Sequence, residues 1–248
     1  MKVRADQLLV ARDLAPSRAR AQALILAGKV YVGDTRVEKA GVMIPEDAPI
    51  VVRGADHPYV SRGGVKLAGA LDTFGVDPTG KRCLDLGAST GGFTDCLLQR
   101  GASSVAAVDV GYGQLAHSLR VDPRVLVLER TNARTLQPEQ IGGAVDLVVV
   151  DASFIGLGKL LDAIVRCTRP GGELVALVKP QFEVGREEAS KTCGVIRDPA
   201  VRAKAIESVA NEVRAAGFEV LGIADCVIEG PKGNLEAFVH ARLPTAPA

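Results

Sequence analysis

Apolar and polar positions alternate in two different ways along the chain. From about residue 63 onward, short apolar runs alternate with amphipathic stretches. The runs at 82–86, 105–110, 125–128, 147–150 and 173–178 are rich in Val, Leu and Ala and too short for ordinary helices, so each reads as a strand. The stretches at 66–74, 93–100, around Leu115, 159–168 and 200–216 read as helices. The fourth stops at Arg169-Pro170-Gly171-Gly172, and Gly217 follows the last. Two further strands, 220–227 and 235–242, complete a set of seven. This alternation predicts a doubly wound, mostly parallel sheet of α/β class. Residues 147–150 are continuously apolar, as in a strand covered on both faces. The last two strands leave no room for a crossover helix and must pair antiparallel.

Residues 1–55 follow another pattern. A helix over 4–12 would turn Ala5, Leu8 and Leu9 inward. A second, capped by Ser17, runs to Ala27 and ends at Gly28. Residues 29–32 and 35–37 flank Gly33-Asp34 as a short hairpin, and 49–52 reads as another strand. Residues 56–62 lie in a turn-rich stretch and read as a linker to a second domain at 63–248.

Charge sharpens this division. The 248-residue chain carries a net charge of only +1. Yet Lys2, Arg4, Arg12, Arg18, Arg20 and Lys29 face only Asp6 and Asp13 in the first 29 residues. A basic end on a near-neutral body fits a polyanion-binding module. The five cysteines include no C-x-x-C pair, which argues against zinc and a disulfide framework and fits a reducing cytoplasm. No apolar run approaches the roughly 18 residues of a membrane span. The first residues carry charges of both signs rather than an apolar signal core. The expectation is a cytoplasmic protein with no membrane partner and no metal.

In an open parallel sheet, ligands bind at the carboxyl ends of strands. The first strand runs into Asp85-Leu86-Gly87-Ala88-Ser89-Thr90-Gly91-Gly92-Phe93. Glycines let a backbone approach a ligand, and the following helix offers free N–H groups. The spacing is neither the dinucleotide fingerprint nor the phosphate loop. Asp85, Gly87, Ala88, Ser89, Gly91, Gly92 and Phe93 are candidate cofactor contacts. Asp109, followed by Val110, ends the second strand, and a carboxylate there can accept both hydroxyls of a ribose diol. Asn132 and Ala133 follow the third strand, where Asn132 reads as an adenine contact or a turn former. Asp151 ends the fourth strand and Lys179 the fifth, and two opposite charges beside a glycine loop mark a site. Lys66, opening a helix, and Glu236, inside a strand, read by position alone as surface residues.

Together these strings carry a resemblance. The order Lys66, Asp151, Lys179, Glu236 resembles the K-D-K-E tetrad of FtsJ/RrmJ-like RNA 2′-O-ribose methyltransferases. The surrounding strings are Ser61-Arg62-Gly63-Gly64-Val65-Lys66-Leu67, Asp151-Ala152-Ser153-Phe154, Val178-Lys179-Pro180-Gln181-Phe182-Glu183 and Gly233-Asn234-Leu235-Glu236. The first segment, with Arg4-x-Asp6-x-Leu8-Leu9, Ser17-Arg18-x-x-Ala21 and Gly28-Lys29-Val30-x-Val32, resembles an S4 RNA-binding domain. Over nearly its whole length the chain resembles the TlyA family, some of whose members are called haemolysins. Gly64 departs from the family's S-R-G-A string, a small-for-small change.

The resemblance implies a Rossmann-like domain binding S-adenosylmethionine and methylating a ribose 2′-hydroxyl of ribosomal RNA in ribosomal subunits. The usual target of the family is cytidine, in 16S rRNA, 23S rRNA or both. Lys66, Asp151, Lys179 and Glu236 would be catalytic, with Lys179 the base. A lysine is a poor base at pH 7 unless burial and a neighbouring cation lower its pKa. Lys66 would be that cation for Lys179, and the two carboxylates would orient the amines. Arg4, Arg12, Ser17, Arg18, Arg20, Lys29 and Arg62 would contact RNA. Tyr59 reads as a base-stacking residue or a packed anchor, and residues 184–198 as a loop that either closes over RNA or is simply mobile. The rival readings are a membrane-active haemolysin, a silent RNA-binding protein that holds the cofactor, and a small-molecule methyltransferase.

Overall fold

The structure, a computed structural model, describes residues 2–53, 57–153, 155–184, 195–230 and 233–245. Phe154 and most of the 184–198 loop lie outside the described residues. The chain divides into two compact units, Met1–Pro58 and Tyr59–Ala248, at a point inside the 56–62 stretch.

In the first unit, β1 (Lys2–Arg4) pairs antiparallel with β4 (Met43–Pro45). Helices α1 (Ala5–Ala11) and α2 (Arg18–Leu26) follow β1. A second small sheet has the order β3-β2-β5, from Thr35–Arg36, Val30–Val32 and Ile50–Val52. Ala5, Leu8 and Leu9 point inward and form a core with Ala21, Ile25, Val30 and Ile50. The Ser17 hydroxyl accepts the Arg20 N–H at 3.2 Å, capping α2.

In the second unit, seven strands form one sheet in the order β11-β12-β10-β9-β6-β7-β8. β6 (Arg82–Leu86), β7 (Ser104–Val108), β8 (Val125–Leu128), β9 (Val145–Val150) and β10 (Thr168–Val178) are parallel to their neighbours in this group. β12 (Ala237–Arg242) lies antiparallel between β10 and β11 (Glu219–Asp225). The inner strands of this sheet are almost entirely buried, Leu147, Val148 and Val149 completely so. α3 (Arg62–Phe74) and α4 (Gly92–Gln99) pack with one apolar cluster of the domain. α6 (Leu161–Cys167) and α8 (Pro199–Ala215) pack with the other. α5 (His117–Arg120) and α7 (Pro180–Glu183) are single turns.

Several local expectations change. α3 opens at Arg62, so Lys66 sits on its second turn rather than at its start. Residues 59–61 belong to the second unit, where the Val60 N–H donates to Asp95 at 2.7 Å. The helix near Leu115 is only α5, because Leu115 itself precedes it as a buried anchor. Glu236 precedes β12 instead of lying in it. β10 starts before Arg169-Pro170-Gly171-Gly172, and that turn-forming stretch is absorbed as a register shift between Thr168 and Glu173.

The chain leaves β6 toward β7 and β8, then crosses to β9 and β10 on the other side. β6 and β9 therefore flank the topological switch point, where open α/β sheets hold their ligands.

Candidate active site

The loop after β6 is shaped to lie against the end of β9. Gly87 has φ +87°, and a Cβ there would sit 2.7 Å from the Asp151 carbonyl oxygen. The Asp151 N–H donates to Leu86 O at 3.0 Å, locking the two strand ends together. Gly92 opens α4 against Ser61 and Gly64, where a side chain would collide with the Ser61 hydroxyl. Gly64 leaves room for the Tyr59 ring, which a Cβ would meet at 2.2 Å. Tyr59 is thus a packed residue of the second unit, set against its apolar cluster.

Asp85 is fully buried inside β6 and lines neither cavity of the site. Its Oδ2 accepts the Thr94 N–H at 3.0 Å and the Thr94 hydroxyl at 2.7 Å, tying the strand to α4 across the glycine loop. Burial pushes its pKa up to about 7, against the opposing effect of the Thr94 hydrogen bonds. Gly91, φ +97°, also lines neither cavity and instead makes room for Leu115 and Leu119.

Two cavities adjoin at the strand ends. One, about 340 Å³, is lined by Gly87, Ser89, Asp109, Val110, Asn132 and Ala133 among others. Asp109 accepts the Ser89 N–H at 2.8 Å and the Gly111 N–H at 2.6 Å, which leaves lone pairs on both oxygens. The Asn132 side chain accepts the Arg134 N–H at 3.1 Å, so it forms the turn while facing the cavity.

The other cavity, about 400 Å³, is lined by Arg62, Lys66, Ala88, Gly92, Phe93, Asp151 and Lys179 among others. Lys66 Nζ donates to Glu236 Oε2 at 2.5 Å. Lys179 Nζ lies 2.5 Å from Asp151 Oδ1 and donates to the Ser153 hydroxyl at 2.7 Å. Lys66 and Lys179 are each 7% exposed and Glu236 1%, so these are not surface charges. The structure thus brings Lys66, Asp151, Lys179 and Glu236 together. Gly87, Ser89, Asp151 and Ser153 line both cavities.

Thr94, Gln114 and Ser153 also build the site. Gln114 Oε1 accepts from the Ser89 hydroxyl at 3.3 Å. None of the three carries a charge or a spacing that marks it in the sequence. Cys83 and Cys96 are not activated nucleophiles: burial pushes their thiols up to about 12 and about 11. Among the described residues, no group of three or more His, Cys, Asp and Glu is placed to hold a metal ion.

The candidate RNA residues of the first unit fall into two groups. Arg12, Arg18 and Arg20 are exposed, whereas Arg4 and Lys29 are half-buried. Arg4 and Arg18 both bond the buried Asp6 carboxylate, and Arg12 donates to Glu46 O at 2.5 Å. Ser17 spends its hydroxyl on the α2 cap. In the second unit, Arg62 is exposed on the wall of the lysine cavity.

A doubly wound sheet with a glycine loop at its switch point and paired lysines beside it defines a Rossmann-like methyltransferase fold. The FtsJ-like methyltransferase family model matches residues 59–243, and an S4 domain model matches residues 3–50. The chain belongs to the FtsJ-like methyltransferase family, with an S4 domain in front. It is 50% identical to the 16S/23S rRNA (cytidine-2′-O)-methyltransferase TlyA of Mycobacterium tuberculosis, over 98% of this chain and 91% of that one. It is 40% identical to Hemolysin A of Brachyspira hyodysenteriae, over 96% and 99% of the two chains. A solved structure of a provisionally named hemolysin from Streptococcus thermophilus superposes with a TM-score of 0.77 at 38% identity, covering 99% of this chain and 90% of that one.

Proposed function

We propose that this protein transfers a methyl group from S-adenosylmethionine to a ribose 2′-hydroxyl of ribosomal RNA in a ribosomal subunit. The relative of Mycobacterium tuberculosis, named for cytidine methylation in 16S and 23S rRNA, supports cytidine as the target. Acting on ribosomal RNA also supports a cytoplasmic location. The observation that carries the reading is the meeting of two lysine–carboxylate pairs with the glycine-loop cavity at one switch point.

The residues fit the cofactor. Gly87 lets the loop lie against the end of β9 where both cavities open, and Asp109 keeps acceptor capacity for a ribose diol. Asp109, Val110, Asn132 and Ala133 would hold the nucleoside, and Gly87, Ala88, Ser89, Asp151 and Phe93 the part nearer the lysines. When bound, S-adenosylmethionine supplies a methyl on a sulfonium whose leaving group is a neutral thioether. The protein must aim the ribose oxygen along that line and take its proton. Lys179, as the neutral amine, takes the proton on Nζ while the oxygen gains the methyl. Asp151 balances the resulting ammonium. Lys66, held by Glu236, places a second cation beside the base and the attacking oxygen.

In the S4 domain, Arg12, Arg18, Arg20 and Lys29 would contact phosphates, with Arg4 behind them. Such contacts give affinity that falls with salt. Arg62 would meet RNA at the mouth of the lysine cavity.

Incubation with labelled S-adenosylmethionine and separate ribosomal subunits, followed by mapping of the modified nucleotide, tests the reading. Methylation of a cytidine 2′-oxygen in one or both subunits is expected. Lys179→Ala should bind S-adenosylmethionine normally and transfer no methyl, and full turnover by that variant would overturn the assignment. The hemolysin names of relatives are tested by leakage of liposomes with purified protein. No described helix is long and apolar enough to cross a membrane.

A further inference from the structure

The two lysines are held in different ways. Glu236 gives Lys66 both charge and direction, because its Oε2 is at once the ion-pair partner and an aligned hydrogen-bond acceptor. At Lys179 these two tasks are separated. Asp151 Oδ1 lies 2.5 Å from Nζ, but the contact lacks the alignment of a hydrogen bond. The aligned acceptor is the Ser153 hydroxyl at 2.7 Å.

Direction matters for a base. An amine that removes a proton must aim its lone pair at that proton, and an alkylamine turns freely about its terminal bond. A charge contact alone restrains this rotation weakly, whereas an aligned hydrogen bond fixes one N–H and so limits where the lone pair can point. Ser153 lines both cavities, so the residue stands where they meet. It is also exposed, so a tie to Lys179 is not forced on it by burial.

We infer that Ser153 is a positioning residue for methyl transfer: it sets the direction of the Lys179 lone pair, while Asp151 supplies the compensating charge. The inference rests on Lys179 being the base, as proposed above. It assigns a role to the hydroxyl of the Asp151-Ala152-Ser153 turn that is distinct from the four charged residues.

The test compares Ser153→Ala, Ser153→Thr and Lys179→Ala in the full chain. The measurements are steady-state methylation of ribosomal subunits, calorimetric binding of S-adenosylmethionine, and thermal melting. Ser153→Ala should lower kcat at least about tenfold, the scale of a lost hydrogen bond to the ammonium that forms on Lys179 as it takes the proton. KM for RNA, cofactor affinity and melting should stay near wild type. Ser153→Thr, which keeps a hydroxyl at the same branch point, should restore most of kcat. Wild-type kcat in Ser153→Ala, beside an inactive Lys179→Ala, would overturn this inference and leave the parent reading standing. Turnover by Lys179→Ala would overturn both. A parallel loss of cofactor affinity and kcat in Ser153→Ala would make Ser153 a cofactor contact and overturn the inference. Failure of Ser153→Thr to restore kcat, with binding and melting unchanged, would also overturn it.

Discussion

Lys66 and Glu236 lie 170 positions apart in sequence, yet Lys66 Nζ donates to Glu236 Oε2 at 2.5 Å. Glu236 is 1% exposed and Lys66 7%, so each charge depends on the other. Removing one member strands its partner's charge at a buried position, which costs about 3–5 kcal/mol. Glu236→Ala should therefore lower stability by that order and abolish methyl transfer. Replacing both, as Lys66→Met with Glu236→Leu, should recover most of the stability and none of the activity. Denaturant unfolding and a methylation assay check the two halves. A double variant no more stable than Glu236→Ala would show that the stranded charge is not the source of the loss.

Asp85 and Thr94 make a second prediction, this one about pH. Burial raises the Asp85 pKa to about 7 in the folded protein. In the unfolded chain an aspartate titrates near about 4. Between these values the native state holds a proton that the unfolded state has released. Stability must then fall as pH rises from about 4 to about 7 and level off above. Asp85→Asn keeps an oxygen acceptor for Thr94 and removes the titration. Across this window the melting temperature of wild type should fall relative to that of the variant. Parallel profiles would mean that Asp85 ionises alike in both states.

Legibility in the sequence followed the range of the interactions. β6 and β8 match their apolar runs residue for residue, because each run is closed by a charged or glycine residue at either end of the strand. β1 and β4 are three residues long, and such pieces leave no period to read. Asp151 and Lys179 were visible as charges ending adjacent apolar strands. Lys66 and Glu236 looked like surface residues by position, because their burial comes from a partner brought in by the fold. Only the resemblance of the whole K-D-K-E series marked them. Ser153 and Thr94 act through a single hydroxyl each, and no local pattern sets such residues apart.

In the S4 domain, Asp6 organises two arginines, Arg4 and Arg18. Its carboxylate accepts two bonds from Arg4 at 3.0 Å, one from Arg18 at 3.1 Å and one from Gln22 at 3.0 Å. The Arg4 guanidinium holds it well below the usual carboxylate range, against the effect of burial. The folded state thus releases the proton more readily than the unfolded state. The resulting stability is present above about pH 4 and is lost as pH falls below it. Asp6→Asn should melt earlier than wild type at neutral pH, and the gap should close on acidification. Thermal melts of both proteins across pH provide the check, and a gap that persists undiminished at low pH would mean that the charge of Asp6 is not what stabilises the domain.

Gly87 supplies the sharpest contrast, because Gly80 shares its backbone conformation but not its neighbours. Gly87 has φ +87° and Gly80 φ +72°, both in the left-handed region. Placing a side chain there costs roughly 1–2 kcal/mol by conformation alone. At Gly80 nothing lies within 4 Å of the added Cβ, so Gly80→Ala should show only that modest loss and bind S-adenosylmethionine normally. At Gly87 the Cβ meets the Asp151 carbonyl oxygen at 2.7 Å and Ala152 Cα at 3.2 Å. These are backbone atoms, and the Asp151 N–H is already bonded to Leu86 O. The end of β9 would have to move away from the loop, taking Asp151 and Ser153 with it. Gly87→Ala should thus lose more stability than Gly80→Ala and weaken cofactor binding at least about tenfold, a difference of about 1.4 kcal/mol. Calorimetry with S-adenosylmethionine on the two variants decides the matter: equal affinities would show that the approach of the loop to Asp151 does not shape the site.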